Sequence, residues 1–326
     1  MTITIAVLQL LAGFVLLIWA ADRLVAGASA CARNFGVSTL IVGLTIVGFG
    51  TSAPEMIVSA MASLEGKPSL AIGNALGSNI ANIGLILGLT ALIYPLRVES
   101  ATIKREVPVL AVIMLLTLFL MWDLQFSRGD GIILLIGLAA LIGGMVMLGL
   151  KSGGEDPMSI ALAEEVPTGM PTRTAVLWTL VGLVLLPLSA HVLVKGAVTL
   201  ALLAGVSEAV IGLTVVALGT SLPELAAAAA SAYKREDDLA IGNILGSNMF
   251  NLLGVLGIAA VIHPMIIEPV LLNRDLLVMF AISALLLLMA WRRKGHGLIN
   301  RPAALVLFAG YLGYQTWVIW EAVLAR

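Results

Sequence analysis

Long apolar runs separated by short polar connections make up most of the chain. Ten of these runs have roughly the 17 or more apolar residues with which an α-helix crosses the hydrocarbon core of a bilayer. The pattern therefore predicts an all-α membrane protein with ten transmembrane helices. The predicted spans are 5–24, 38–64, 69–96, 106–122, 130–150, 173–195, 208–232, 239–264, 275–291 and 302–323.

One connection is much longer and more polar than the others. It reads KSGGEDPMSIALAEEVPTGMPT, and it is acidic, rich in glycine and proline, and too short to form a folded domain. It divides the chain into a first five-helix repeat at 1–150, a linker at 151–172 and a second five-helix repeat at 173–326.

The two halves share sequence at a constant offset of 169 residues. VGLTIVGFGTSAPE at 42–55 matches IGLTVVALGTSLPE at 211–224, and AIGNALGSNIANIGLILG at 71–88 matches AIGNILGSNMFNLLGVLG at 240–257. An odd number of spans in each half inverts the second copy relative to the first. Inverted repeats are the plan of many secondary transporters, whose binding site lies between the repeats near the middle of the membrane.

Composition agrees with a membrane location. The chain is 60% hydrophobic and 11% charged, whereas a soluble domain has roughly a quarter of its residues charged. A net charge of −1 gives no reason to expect a nucleic-acid partner. With both termini outside and the linker inside, 13 of the 18 lysines and arginines fall on cytoplasmic connections. This bias predicts that orientation, since basic residues concentrate on the cytoplasmic side.

Two glutamates, Glu55 and Glu224, lie deep in predicted spans at equivalent positions. A charged side chain at mid-membrane is costly and usually functional. A proline precedes each glutamate and removes a helix hydrogen bond, which would release the carbonyls of Gly50 and Gly219. Free carbonyls are tolerated in a membrane only where they line a cavity or bind an ion. The alternative is a protonated, hydrogen-bonded pair of carboxyls that only joins helices.

Hydroxyl and amide side chains accompany these acids. Thr51 and Ser52 share a helix face with Glu55, and the following spans carry polar stripes spaced by four residues. Oxygen ligands of this kind suit Na⁺, Ca²⁺ or Mg²⁺, and the varied set mildly favours Ca²⁺. The alternative for the stripes is hydrogen bonding between helices. The stripes are Asn74, Ser78 and Asn82 in the first half and Asn243, Ser247 and Asn251 in the second.

The doubled motif GTSAPE/GTSLPE, followed by GSNIAN/GSNMFN, resembles the two alpha repeats of the calcium/cation antiporter superfamily. The short linker makes the chain similar to prokaryotic sodium/calcium exchangers, especially YrbG-type inner-membrane antiporters. The resemblance implies four ion sites, with Glu55 and Glu224 binding Ca²⁺ and Na⁺ in turn. It also implies that Asn82 borders the central site. The other implied ligands are the carbonyls of Thr51 and Thr220 for Ca²⁺, and Ser52, Ser78, Ser221, Ser247 and the carbonyls of Gly48 and Ala217 for Na⁺.

One departure from the family concerns the coupling ion. Several exchangers carry an aspartate where this chain has Asn251, so a Ca²⁺/H⁺ antiporter using the same site is the alternative function. An intramembrane hydrolase and a passive cation channel are less consistent with paired acids in near-identical repeats. We therefore predict a Ca²⁺/Na⁺ antiporter of a prokaryotic plasma membrane, with the transported ions and the bilayer as partners. No cofactor and no obligate protein partner are expected.

Overall fold

The computed structural model describes residues 3–98, 100–151, 163–290 and 297–324, and it is almost entirely helical. The apolar runs form the helices, and turns or glycines end them. The helices are α1 (Ile3–Asn34), α2 (39–50), α3 (Ala53–Leu64), α4 (Pro68–Ile93), α5 (Ser100–Met121), α6 (Arg128–Lys151), α7 (Thr172–Ala204), α8 (Glu208–Thr220), α9 (Leu222–Lys234), α10 (Asp237–Ile262), α11 (271–290) and α12 (Arg301–Leu324).

Four very short strands tie the helix ends together. They form two antiparallel pairs, β1 with β4 and β2 with β3. The strands are β1 (Leu96–Val98), β2 (Gln125–Phe126), β3 (Met265–Ile266) and β4 (Gly297–Ile299).

Seven helices in the described residues are long and apolar enough to cross a membrane, or eight if α8 and α9, which meet at 43°, count as one span. Helix α3 and the Glu106–Met121 part of α5 are apolar but shorter. The structure thus confirms an all-helical membrane protein, while the count of ten spans stays a prediction. Helices α1 and α7, with 32 and 33 residues, extend well beyond the predicted spans 5–24 and 173–195.

Helices α4 and α10 form the centre of the protein. Of their most apolar windows, 78% and 83% are buried, compared with at most 44% for the other spanning helices that the structure describes. Both central helices carry the polar stripes of the sequence, so the polar groups are enclosed by protein and shielded from lipid. This placement is where a membrane protein can keep polar side chains.

The same local irregularities recur 169 residues apart. A π-helical turn at Gly43–Val47 is matched by one at Gly212–Val216, and a second at Asn82–Leu87 is matched by one at Asn251–Val255. Such turns widen the helix and are frequent at functional sites. All four lie within or beside the repeated sequence motifs.

Helices α1 and α7 cross in direct backbone contact through reciprocal glycines. A Cβ added at Gly13 would lie 2.7 Å from Leu193 Cβ, and one added at Gly182 would lie 2.6 Å from Leu24 Cβ. Small residues permit this close approach of membrane helices. Because 13 and 182, and 24 and 193, each differ by 169, the two contacts are equivalent in the repeats.

The packing site of α8 on α4 and the equivalent packing site for α2 on α10 differ. Helix α8 packs tightly on α4, where a Cβ added at Gly77 would lie 2.7 Å from both Ala217 Cβ and Leu213 O. A Cβ added at the corresponding glycine of α10, Gly246, would meet no described residue beyond its own helix turn within 4 Å. Gly246 lines an apolar cavity of about 420 Å³, together with Gly242 and side chains of α5 and α6. The equivalent packing site on α10, at Gly246, therefore borders a cavity.

Candidate functional site

Each buried glutamate stands in the first turn of a new helix. Glu55 lies in the first turn of α3 after Pro54, and Glu224 lies in the first turn of α9 after Pro223. Proline fits the first turn because no intrahelical partner exists there for its missing N–H. The positive end of the helix dipole also favours a carboxylate at this position. The prolines therefore start helices, whereas the sequence analysis placed them inside continuous spans.

The two carboxyl groups are enclosed by protein. Glu55 is 1% exposed and Glu224 is 0% exposed. Ser221 Oγ donates to Glu55 Oε1 at 3.3 Å, and Ser247 Oγ donates to Glu224 Oε1 at 3.4 Å. Thr51 Oγ1 also contacts Ser247 Oγ at 3.4 Å. One oxygen of each carboxyl is thus held by a serine hydroxyl, and the contact to Glu55 comes from the other half.

Six buried side-chain oxygens of the predicted site have no hydrogen-bond partner among the described residues. Buried polar atoms are nearly always paired, so unpaired ones at the predicted site require an explanation. Oxygens with free lone pairs and no proton donor nearby are suited to a cation. The six atoms are Ser52 Oγ, Glu55 Oε2, Ser78 Oγ, Asn82 Oδ1, Glu224 Oε2 and Asn251 Oδ1.

The backbone positions implied by the resemblance lie at the helix breaks or just before them. Thr51 and Thr220 end the segments that precede α3 and α9, and Gly48 lies in α2. The carbonyl of Ala217 accepts from the N–H of Ser221 at 3.1 Å. A cation there would share this carbonyl with the helix turn.

Asn74 plays a structural part in this structure. Its Nδ2 donates to Ser59 Oγ at 3.0 Å and to Glu55 O at 3.3 Å, while its Oδ1 accepts from Thr220 Oγ1 at 3.1 Å. One amide therefore joins α3, α4 and α8, which is the hydrogen-bonding alternative for the stripe. Its counterpart Asn243 leaves Nδ2 without a partner in the part of the chain that the structure describes.

Two asparagines of the site were missed in the sequence analysis. Asn79 and Asn248 are the asparagines of the GSN motifs, and both are buried. Asn79 Oδ1 accepts from Asn251 Nδ2 at 3.2 Å, and Asn248 Oδ1 accepts from Asn82 Nδ2 at 2.9 Å. They do not follow the four-residue spacing of the polar stripes, but they recur in both GSN motifs, which is a signal that the sequence contains.

A second buried polar cluster lies in α11 and α12. Arg274, taken from the sequence as an outer-side basic residue before a span, is 7% exposed inside the helix and pairs with Asp275 at 2.8 Å. Tyr314 donates to Asp275 at 2.8 Å, and Glu321 accepts from Arg274. Buried charges of this kind are compensated by each other, so they make a structural link between the two helices.

Comparison with known proteins places this arrangement in a family. The family model described as sodium/calcium exchanger protein matches residues 5–147 and 174–320. The chain is 47% identical to a protein named as the candidate antiporter CaxA of Alkalimonas amylolytica, over 95% of this chain and 98% of that one. It is 40% identical to the inner membrane protein YrbG of Escherichia coli, with 97% of each covered.

A solved structure gives the same result. The sodium-calcium exchanger NCX_Mj, soaked with Na⁺ and Sr²⁺, superposes with a TM-score of 0.61 at 32% identity, over 95% of this chain and 98% of that one. Fold, sequence and doubled motif agree over nearly the whole length. The chain belongs to the sodium/calcium exchanger protein family.

Proposed function

We propose that the chain exchanges Ca²⁺ for Na⁺ by alternating access at a site centred on Glu55 and Glu224. The observation that carries the proposal is that the two enclosed carboxyl groups, Glu55 and Glu224, each leave one oxygen without a partner among the described residues, as do four buried hydroxyl and amide oxygens of the predicted site. A buried carboxylate without compensation is strongly unfavourable, and a bound cation removes that penalty. The site therefore favours states in which cations neutralise it.

The donor set fits the proposed cargo. Ca²⁺ takes 6–8 oxygens in irregular geometry, and the residues of the proposed site offer carboxylate, hydroxyl, amide and carbonyl oxygens. Two carboxylates balance one Ca²⁺, while Ser52 and Ser78 offer neutral oxygens for Na⁺. The similar protein MaX1 of Methanosarcina acetivorans, 32% identical over 88% of this chain and 91% of that one, is named a sodium/calcium exchanger, which supports this pair of ions.

The proposed architecture is ten spans in two inverted five-helix repeats, 1–150 and 173–326. It is supported by the π-helical turns that recur at an offset of 169 residues and by the reciprocal glycines of α1 and α7. The family model also matches each half separately. Inverted repeats bring two equivalent sets of ligands together at one place, as alternating access requires.

The test is Ca²⁺ uptake into proteoliposomes under a Na⁺ gradient, then under a pH gradient, and then under neither. We expect uptake under the Na⁺ gradient alone. If three Na⁺ return for each Ca²⁺, as the family resemblance implies, one charge crosses per cycle, worth about 2.3 kcal/mol per 100 mV. Clamping the voltage with potassium and valinomycin should then change the Ca²⁺ ratio. Uptake driven by the pH gradient alone would favour the Ca²⁺/H⁺ alternative that Asn251 keeps open.

We expect the unpaired serines to affect ion binding without affecting folding. In Ser52→Ala or Ser78→Ala the lost hydroxyl has no partner among the described residues, so Tm without cations should stay equal or rise. The Na⁺ concentration for half-maximal exchange should rise about five- to tenfold, as for loss of one polar contact. Ser189→Ala, whose hydroxyl donates to Leu185 O within α7, is the control with unchanged Na⁺ dependence. A lowered Tm with unchanged Na⁺ dependence would make these serines structural.

We also propose that the protein lies in a prokaryotic plasma membrane with both termini outside and the 151–172 linker in the cytoplasm. The distribution of basic residues supports this orientation. A reporter fused after Arg326 should be active only if it works on the outer side. Fluorescence from a reporter that matures only in the cytoplasm would reverse the orientation.

A further inference from the structure

We propose that Asn79 and Asn248 are positioning residues. Asn79 accepts a hydrogen bond from the NH₂ group of Asn251, and Asn248 accepts one from the NH₂ group of Asn82. These bonds orient Asn82 and Asn251 so that their side-chain carbonyl oxygens are available to the cation. These four residues are called the amide clasp. The inference rests on the proposed function, since it assumes that a cation occupies the site. It assigns a role to two residues that the family's motif left without one.

The contacts of the amide clasp are crossed and reciprocal. Asn82 of the first half donates to Asn248 of the second at 2.9 Å, and Asn251 of the second donates to Asn79 of the first at 3.2 Å. Since 79 and 248, and 82 and 251, each differ by 169, both bonds express one repeated design. All four side chains are at most 1% exposed.

The hydrogen bonds give the two pairs different tasks. Asn82 and Asn251 use Nδ2 in the clasp, and each leaves Oδ1 buried and without a partner among the described residues. In contrast, Asn79 and Asn248 have both ends engaged. Asn79 Nδ2 donates to Asn248 O at 3.4 Å, and Asn248 Nδ2 donates to Asn79 O at 3.5 Å. Only the first pair has an oxygen available to a cation.

Orientation matters because an amide has two opposite ends. A side-chain amide can offer a carbonyl acceptor or an NH₂ donor, and rotation by half a turn exchanges them. A cation is attracted by the oxygen and repelled by the NH₂ hydrogens. Without the acceptors at 79 and 248, both orientations of Asn82 and Asn251 would be populated, and the ion would have to select one. Preorganised ligands avoid this loss of affinity.

Double-mutant cycles test the pairing. The measurement is Ca²⁺ binding to the purified full-length protein by titration calorimetry, with Tm recorded without cations. Asn248→Ala and Asn79→Ala should each weaken Ca²⁺ binding about five- to tenfold, as expected for one buried hydrogen bond. Asn248→Ala should have no further effect in the Asn82→Ala background, and Asn79→Ala none in the Asn251→Ala background. The crossed doubles, N248A/N251A and N79A/N82A, should show effects that multiply.

The outcomes are distinguishable. If the matched doubles multiply as the crossed doubles do, or if the single variants bind Ca²⁺ like wild type, the positioning role is wrong. If an alanine variant does not fold, Asn248→Leu and Asn79→Leu, which keep a similar shape but remove the acceptor, take its place in the same cycles. If the wild-type protein does not bind Ca²⁺, the proposed function fails, whereas intact binding without pairwise coupling overturns the inference alone.

Discussion

Replacing Glu55 or Glu224 with glutamine is expected to abolish Ca²⁺ exchange while leaving a folded protein. Glutamine has nearly the same shape but removes one of the two negative charges that balance Ca²⁺. Removing one partner of a buried charge pair costs about 3–5 kcal/mol, which exceeds a hundredfold in affinity. The measurement is Na⁺-driven Ca²⁺ uptake in proteoliposomes, with size-exclusion profiles to show folding.

The control for this experiment is an acid at the C-terminal end of the helix that begins beside Glu55. Glu65 directly follows α3 and contacts His191 through Nδ1, at the opposite end from Glu55. Glu65→Gln should therefore exchange Ca²⁺ at nearly the wild-type rate. Wild-type exchange in either Glu55→Gln or Glu224→Gln would remove those glutamates from the site.

Gly77→Ala is expected to destabilise the protein, whereas the equivalent Gly246→Ala is not. The new methyl at 77 would press on Ala217 Cβ and Leu213 O, both 2.7 Å away, where α4 and α8 are in contact. Overpacking a tight contact costs about 1–3 kcal/mol. A Cβ added at Gly246 would meet no described residue beyond its own helix turn within 4 Å, and alanine is intrinsically better than glycine in a helix by about 1 kcal/mol.

Thermal unfolding in detergent measures this difference. The two substitutions are chemically identical and occupy equivalent places in the repeats, so they control for each other. We expect a lower Tm for Gly77→Ala and an equal or higher one for Gly246→Ala. Equal losses of stability in the two variants would mean that the packing at Gly77 and the packing at Gly246 are alike.

The sequence predicted the helical membrane class because that class depends on apolar runs that repeat along the chain. Long apolar runs are unambiguous for helices such as α1, α6 and α12. The deep glutamates were identifiable because ionisable groups are rare in spans. Their position at the start of a helix was not predictable, because a proline inside an apolar run is compatible with a kink or with a new helix. In the structure a new helix begins at Ala53 and another at Leu222.

Other features depend on contacts between distant segments. A π-helical turn such as Gly43–Val47 changes the helical period over five residues only, too short a stretch to alter the hydrophobic pattern. The amide clasp requires α4 and α10 to cross at the GSN motifs, and sequence spacing within one helix says nothing about that crossing. The burial of Arg274 was not predicted for the same reason, because its partners Asp275 and Glu321 meet it only in the folded protein.

The different packing at Gly77 and Gly246 bears on how easily the protein could change conformation. Helix α8 is closed on Gly77, while the equivalent Gly246 borders an open cavity. If the halves exchange roles, as the proposed alternating access requires, α8 leaves its glycine as α2 reaches the other. Contacts that are broken at Gly77 are then replaced by similar contacts at Gly246. The two end states would then be close in free energy, and the residues that differ between the repeats would set the balance between them.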